Sequence, residues 1–331
     1  MKIMKHKFLS CIPLLFALVL VMSACEDEKY AIPTLPQELR NDVIKRTLGP
    51  NLVGLNIEFA YGIAIPKSLG KLVSAEVEAS IGGAEATYLD NKSYYTNGSG
   101  QDVGIEVGSK SVNNGTKTTV TFTKDTIAST LRYFYRIPAA AKGKEVSFKF
   151  SATASNGQKV TYSMGPYKIA QMDMVLDLAV KDSSAAYISI EDMAVYGPAA
   201  AATNAAKIDL VYLYRVIPNV TFLHSIVAPT AKTYLPGVTL PAGVSRSAKI
   251  NKVWALRDFH LARLQYGIYI DDLDFQQLNV SNSPDFAINM KAESGAWVET
   301  ADGKYRAYVY VNAVDNATKS ARISIKRYTM K

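Results

Sequence analysis

From Pro50 onward the apolar residues of this chain recur mainly at every second position. Over 73–81, Val73, Ala75, Val77, Ala79 and Ile81 alternate with Ser74, Glu76, Glu78 and Ser80, which predicts a strand with one face in a core and one in water. Residues 146–154 repeat the device, with Val146, Phe148 and Phe150 on one side and Ser147, Lys149 and Ser151 on the other. Ser155-Asn156-Gly157 then predicts a turn that tolerates positive φ. The return strand is expected to carry Val160, Tyr162 and Met164 inward. Further strands are predicted over 52–61, 118–123 and 131–137, with Gly- and Asn-rich turns at 96–100 and 113–115. Ahead of them, residues 26–50 read as a tether punctuated by Pro33, Pro36 and Pro50, with a short helix over 37–47.

The second half continues the pattern. Strands are predicted over 172–180 and 185–190, and a short helix over the alanine-rich stretch 199–207. Ile208, Leu210, Tyr212 and Tyr214 then alternate with Asp209, Val211, Leu213 and Arg215. Pro218, Pro229, Pro236 and Pro241 mark a loop-rich middle. Over 254–266 the pattern predicts a helix, with Leu256, His260 and Leu264 sharing a face with Val253. Residues 296–300, 305–312 and 320–328 predict a three-stranded meander, its first pair turned by Asp302-Gly303. Regular strands with few helical windows argue for an all-β chain of two β-sandwich (immunoglobulin-like) domains, over 51–170 and 171–331.

The start of the chain breaks this alternation. Lys2, Lys5 and Lys7 precede an apolar run over 8–22, interrupted by Ser10, Cys11 and Pro13. The run is short for a membrane span and ends in small residues, as a cleaved export signal does. Met22-Ser23-Ala24-Cys25 resembles a bacterial lipobox, with Met22 where Leu is more usual. The resemblance implies a signal peptide over 1–24, a lipid on Cys25 and a tether over 25–50. Several acyl chains, at about 0.8 kcal/mol per buried methylene, hold such an anchor in the membrane. Glu26-Asp27-Glu28 resembles the surface-export signal of Bacteroidota lipoproteins and implies an outer-membrane, surface-exposed location.

Charge and cysteine usage narrow the function classes. The 331-residue chain carries a formal charge of +8, and loss of 1–24 removes three lysines and no acid, leaving +5. That excess is spread along the chain without a Lys/Arg block, which argues against nucleic-acid binding. Of the two cysteines, Cys11 leaves with the signal and Cys25 carries lipid. No disulfide, thiol nucleophile or cysteine metal site is then expected in the mature chain, and no cofactor motif is present.

Taken whole, the chain resembles the two-domain β-rich surface lipoproteins of Bacteroidota, a family of unknown function. The resemblance rests on the Cys25 lipobox with its acidic triplet, and on the segments Tyr187-Ile-Ser-Ile-Glu-Asp-Met193 and Ala205-Ala-Lys-Ile-Asp-Leu-Val-Tyr212. It implies a membrane-anchored, non-catalytic binding module whose partner is extracellular polysaccharide, or an adhesin that contacts a host or surface protein. It carries over no binding residue.

Candidate chemistry is sparse. His224 and His260 have no elbow serine, His-Glu-x-x-His or phosphate-cradling glycine motif near them, so both are expected to be structural. Asp271, Asp272 and Asp274 cluster at a predicted strand end, where Asp272 and Asp274 would share a face. Hard cations need six to eight oxygens, so the plainer expectation is solvation or ion pairing with Arg257 or Arg263. The strongest binding signal is the last hairpin. With Ala307, Val309 and Val311 inward, Arg306, Tyr308 and Tyr310 face outward, beside Arg322, Lys326 and Tyr328 of the neighbouring strand. This predicts a basic, aromatic sheet face suited to sugars or a protein partner. Tyr94, Tyr95, Trp254 and Trp297 are further aromatic candidates. The Thr/Ser-rich stretch 116–130 faintly resembles a membrane-inserting hairpin of β-pore-forming toxins.

Overall fold

A computed structural model describes residues 37–331. The lipobox expectations at Cys25, Glu26, Asp27 and Glu28 lie outside these described residues. Residues Glu38–Lys331 form one compact unit. Its first half contributes β1 (Arg40–Lys45), β2 (Asn56–Ala64), β3 (Leu72–Ala79), β4 (Tyr88–Leu89), β5 (Lys92–Thr96), β6 (Asp102–Glu106), β7 (Val112–Asn114), β8 (Lys117–Thr121), β9 (Ala128–Arg136), β10 (Glu145–Ala154) and β11 (Lys159–Lys168). Sheets in the order β1-β2-β9-β4 and β11-β10-β3-β8-β7 face each other. Between them lies a core of Phe59, Tyr61, Tyr133, Tyr135, Phe148 and Phe150, most of whose ring pairs meet edge to face, as Phe59 and Phe148 do at 4.9 Å. This geometry suits the ring quadrupoles and adds to plain burial.

The second half contributes β12 (Asp173–Lys181), β13 (Tyr187–Ser189), β14 (Ala194–Tyr196), α1 (Pro198–Thr203), β15 (Leu210–Ile217), β16 (Val220–Val227), β17 (Ala248–Trp254), α2 (Phe259–Ala262), α3 (Asp272–Gln277), β18 (Phe286–Met290), β19 (Ser294–Thr300), β20 (Tyr305–Asp315) and β21 (Ser320–Thr329). They form a second sandwich, of sheets β12-β21-β20-β19-β17 and β14-β13-β15-β16-β18. The protein is all-β, with two sandwiches and only short helices.

Several expectations need correction. Residues 37–47 hold an edge strand rather than a helix: β1 pairs antiparallel with β2, and only Val43 of its six residues is buried. So little of β1 is buried that its apolar pattern could not distinguish the two. Tyr162 of β11 is 37 % exposed, because β11 is an edge strand bonded only to β10. In β15, Val211 and Leu213 are as buried as Leu210 and Tyr212. The outer face of that sheet packs under α1 and the loop through Leu235 and Val244, in a core of its own. Over 254–266 the only helix is the single turn α2, and β17 runs through Trp254. Thr118 and Val120 of β8 are buried, and β8 and β9 lie in opposite sheets, so 116–130 is part of the sandwich rather than an extendable hairpin.

Candidate functional site

The outward face of the last hairpin is not exposed to solvent. Tyr308, Tyr310, Tyr328 and Lys326 are all buried, Lys326 completely. The irregular segment running through α2 and α3 lies across them, with Leu261, Ile270 and Phe275 packed on Trp297 and the tyrosines. The reason is complementary need. An irregular segment leaves backbone groups without ladder partners, and each must find one when buried. The sheet side chains supply them. Tyr308 Oη donates to the Leu256 carbonyl at 2.7 Å, Asn312 Nδ2 to that of Leu261 at 2.8 Å, and Arg306 to that of Phe275 at 2.6 Å. Gln276 Nε2 donates to Tyr328 Oη at 2.7 Å. Lys326 Nζ donates to the Ile270 carbonyl at 2.9 Å and to Asp258 Oδ2 at 2.6 Å. Of the six predicted ligand-binding residues only Arg322 is exposed; the other five hold the cover segment, Arg306 from a half-buried position.

Asp258 is the centre of this staple. Its carboxylate caps α2 by accepting from Leu261 N at 3.0 Å, and accepts from Ile270 N at 2.8 Å as well as from Lys326. Burial pushes the Lys326 ammonium pKa down, and Asp258 opposes that shift. The acidic cluster has a related role. Asp271 and Asp274 form a capping box at the start of α3, which is a helix where a strand end was expected. Asp272 points the other way, is buried, and accepts from Gln171 N at 2.9 Å and Met172 N at 3.2 Å, at the join between the sandwiches. Arg257 and Arg263 pair instead with Glu293 and Asp177. Among the described residues no group of three or more His, Cys, Asp or Glu side chains is placed to hold a metal ion.

The cover segment also forms one wall of a cleft of about 620 Å³, whose other wall is the 46–56 stretch of the first half. Tyr266 and Leu48 stand at its mouth, 81 % and 75 % exposed. Inside, Tyr269 lies 5.0 Å from Phe259 and 5.5 Å from His260, ring centre to ring centre. Gly49 makes room for Tyr269: it has φ +73°, and a Cβ there would fall 2.2 Å from the tyrosine ring. Two polar atoms in the cleft lining, Asn56 Oδ1 and His260 Nδ1, are buried without a hydrogen-bond partner in the protein. Burial, with the Lys326 charge nearby, pushes the His260 pKa down to about 4, so the ring is neutral at pH 7. His224, by contrast, is tied to Tyr212 Oη at 2.6 Å on the neighbouring strand and to Asn316 Oδ1 at 2.8 Å in the turn between β20 and β21. No carboxylate and no cysteine is among the described residues lining the cleft.

Sequence reasoning noted His260 but missed Leu48, Asn56 and Tyr266. No local motif marks these three; they meet only because the two halves are joined. Of the other aromatic candidates, Trp297 is core, Trp254 and Tyr95 are exposed, and Tyr94 bonds Asp90 at 2.6 Å beneath the Arg132 guanidinium.

Residues 36–169 match the model of a domain of unknown function (DUF4466), and residues 170–330 that of another (DUF8576). The crystal structure of a DUF4466 family protein from Parabacteroides merdae is 48% identical, with a TM-score of 0.83, covering 89% of this chain and 99% of that chain. The major pilin subunit of Bacillus cereus aligns at 9% identity and a TM-score of 0.28, over 87% of this chain and 66% of that one. A C-terminal fragment of the major pilin GBS80 of Streptococcus agalactiae aligns at 9% and 0.29, over 82% and 84%. Scores this low bear on neither fold nor function. No curated protein matches the chain.

Proposed function

The chain belongs to the DUF4466 family, and from that premise we propose that it is a non-catalytic binding protein that takes glycan in the cleft between its sandwiches. The observation that carries this reading is the pairing of aromatic rings with two buried, unpartnered polar atoms, Asn56 Oδ1 and His260 Nδ1. Buried polar atoms are nearly always bonded, so two left unbonded just beneath the wall of a cleft favour a ligand that brings its own donors and acceptors and reaches them through a small side-chain movement. A sugar does so with its hydroxyls while offering an apolar ring face to Tyr266 and Tyr269. The cleft lining lacks the pair of carboxylates that glycoside hydrolysis uses, which favours capture over turnover.

In this reading the protein is held by lipid at Cys25 on the outer-membrane surface and presents the cleft outward. The leader sequence alone supports that location. Among the described residues no helix is long and apolar enough to cross a membrane.

The test is affinity electrophoresis of the delipidated protein in gels containing starch, xylan, β-glucan, mannan or polygalacturonate. Retardation by at least one polymer, lost in Tyr266→Ala and in Asn56→Ala, is expected. Wild-type mobility unchanged in every gel would remove the glycan reading.

A further inference from the structure

The cleft does not end at Arg46. The Arg46 amide donates to the Glu58 carbonyl at 2.7 Å, Glu58 is paired with Phe134 across β2 and β9, and Phe134 with Tyr88 across β9 and β4. Their sequence neighbours Ile57, Phe59, Tyr133, Tyr135 and Leu89 are buried in the core. Alternation therefore puts Arg46, Glu58, Phe134 and Tyr88 together on the outward face. They form one cross-strand row over three strand spacings, about 14 Å long. Arg46 lines the cleft between the sandwiches, and Tyr88 lines a second cleft of about 660 Å³ at the far edge of the sheet.

Two further observations suit this row to a long ligand. The Tyr88 and Phe134 rings stack with centroids 4.7 Å apart and planes 17° apart, and Tyr88 is 42 % exposed. Stacked this way each ring covers one face of the other, and the pair offers a ligand its ring edges and the outer face of Tyr88. The β5–β6 hairpin lies alongside as a bank. Its Asp102 carboxylate accepts from Arg132 at 2.8 Å and Arg46 at 3.4 Å, reaching across β2. Arg46 and Glu58 can bond hydroxyls at one end of the row, and the outer face of Tyr88 serves at the other. Charges of both signs suit a neutral polymer better than a uniformly acidic one.

Resting on the glycan reading above, we propose that the ligand is a linear polysaccharide bound along its length. It runs from the cleft between the sandwiches, over Arg46, Glu58, Phe134 and Tyr88, into the second cleft. Engagement of the second cleft by a chain already held in the first is intramolecular, so affinity rises with chain length.

The experiment is isothermal titration of the wild-type protein with the disaccharide and hexasaccharide of whichever polymer retards it. The hexasaccharide is expected to bind at least about tenfold tighter. Tyr88→Ala should remove that advantage while leaving disaccharide affinity unchanged and lowering the melting temperature by only a few degrees, the loss of one cross-strand stack, and Tyr266→Ala should weaken both ligands. Equal affinity for the two lengths, or a Tyr88→Ala protein that keeps the full hexasaccharide advantage, overturns the extended track while glycan retention stands. Absence of any retention overturns the glycan reading itself.

Discussion

Lys326→Met tests whether the cover segment is held by its buried charge pair. The substitution keeps an unbranched chain of similar length and deletes only the ammonium. In the folded protein that ammonium gives hydrogen bonds to Asp258 at 2.6 Å and to the Ile270 carbonyl at 2.9 Å, and both charged side chains are fully buried. The variant leaves the Asp258 carboxylate with only the Leu261 and Ile270 amides as donors, and the Ile270 carbonyl loses its lysine. Removing one partner of a buried pair costs about 3–5 kcal/mol. At about 2–4 °C per kcal/mol for a domain of this size class, the melting temperature falls by on the order of 10 °C. Urea unfolding followed by tryptophan fluorescence measures the loss. Trp297 packs edge-on against Phe275 of α3 at 5.4 Å, so it reports detachment of the cover, while Trp254 is already exposed. Adding Asp258→Asn removes the stranded charge, and the double variant should be at least about 1 kcal/mol more stable than the sum of the single effects. A Lys326→Met loss below about 1 kcal/mol, or strict additivity, would refute the staple.

Two other outcomes follow from the same geometry. His260 takes up its proton near 6.5 when unfolded but only near about 4 when folded, so acidification across that window favours the unfolded chain. After allowance for solvent screening of the half-buried ring the loss is roughly 2 kcal/mol. The buried Asp209, pushed up to about 6, has the opposite sign between 6 and its ordinary value, so the readout is the difference in urea midpoint between wild type and His260→Gln from pH 7 to pH 4. The same slope in both proteins would reject the assignment. Asp272→Ala strips the Gln171 and Met172 amides of their acceptor, at about 1–3 kcal/mol. Faster cleavage between the sandwiches, mapped by limited proteolysis and mass spectrometry, is expected, and an unchanged cleavage rate there would count against the clamp.

What was legible in the sequence was the part governed by a single rule. β3 and β10 each have one wet face, so alternation of Val, Ala and Phe with Ser, Glu and Lys located β10 within a residue and β3 within two, with Val73 exposed rather than in the core. The closing meander β19-β20-β21 was readable because Ala307, Val309 and Val311 alternate with polar-tipped residues. Its outer face was not, because Tyr308, Tyr310 and Lys326 look the same in sequence whether they meet water or a layer of backbone carbonyls. The cover carries no period of its own, since only scattered residues such as Leu261, Ile270 and Phe275 turn inward. The acidic cluster was visible as chemistry but its roles were not: a cap for Asp271 and an interdomain clamp for Asp272 are properties of a fold. The cleft was least legible, because Asn56 and His260 are about two hundred positions apart and nothing local relates them.

The cover segment is pinned at Asp258 by Lys326 and at Asp272 by the Gln171 and Met172 amides. Between these pins, Leu264, Gln265 and Tyr266 are exposed at or beside the mouth of the cleft. The lip of the proposed binding cleft is thereby set apart from the contacts that hold the cover down. A library randomised at those three positions would vary the lip of the proposed site without touching either pin, which makes the chain a scaffold with an exchangeable lip.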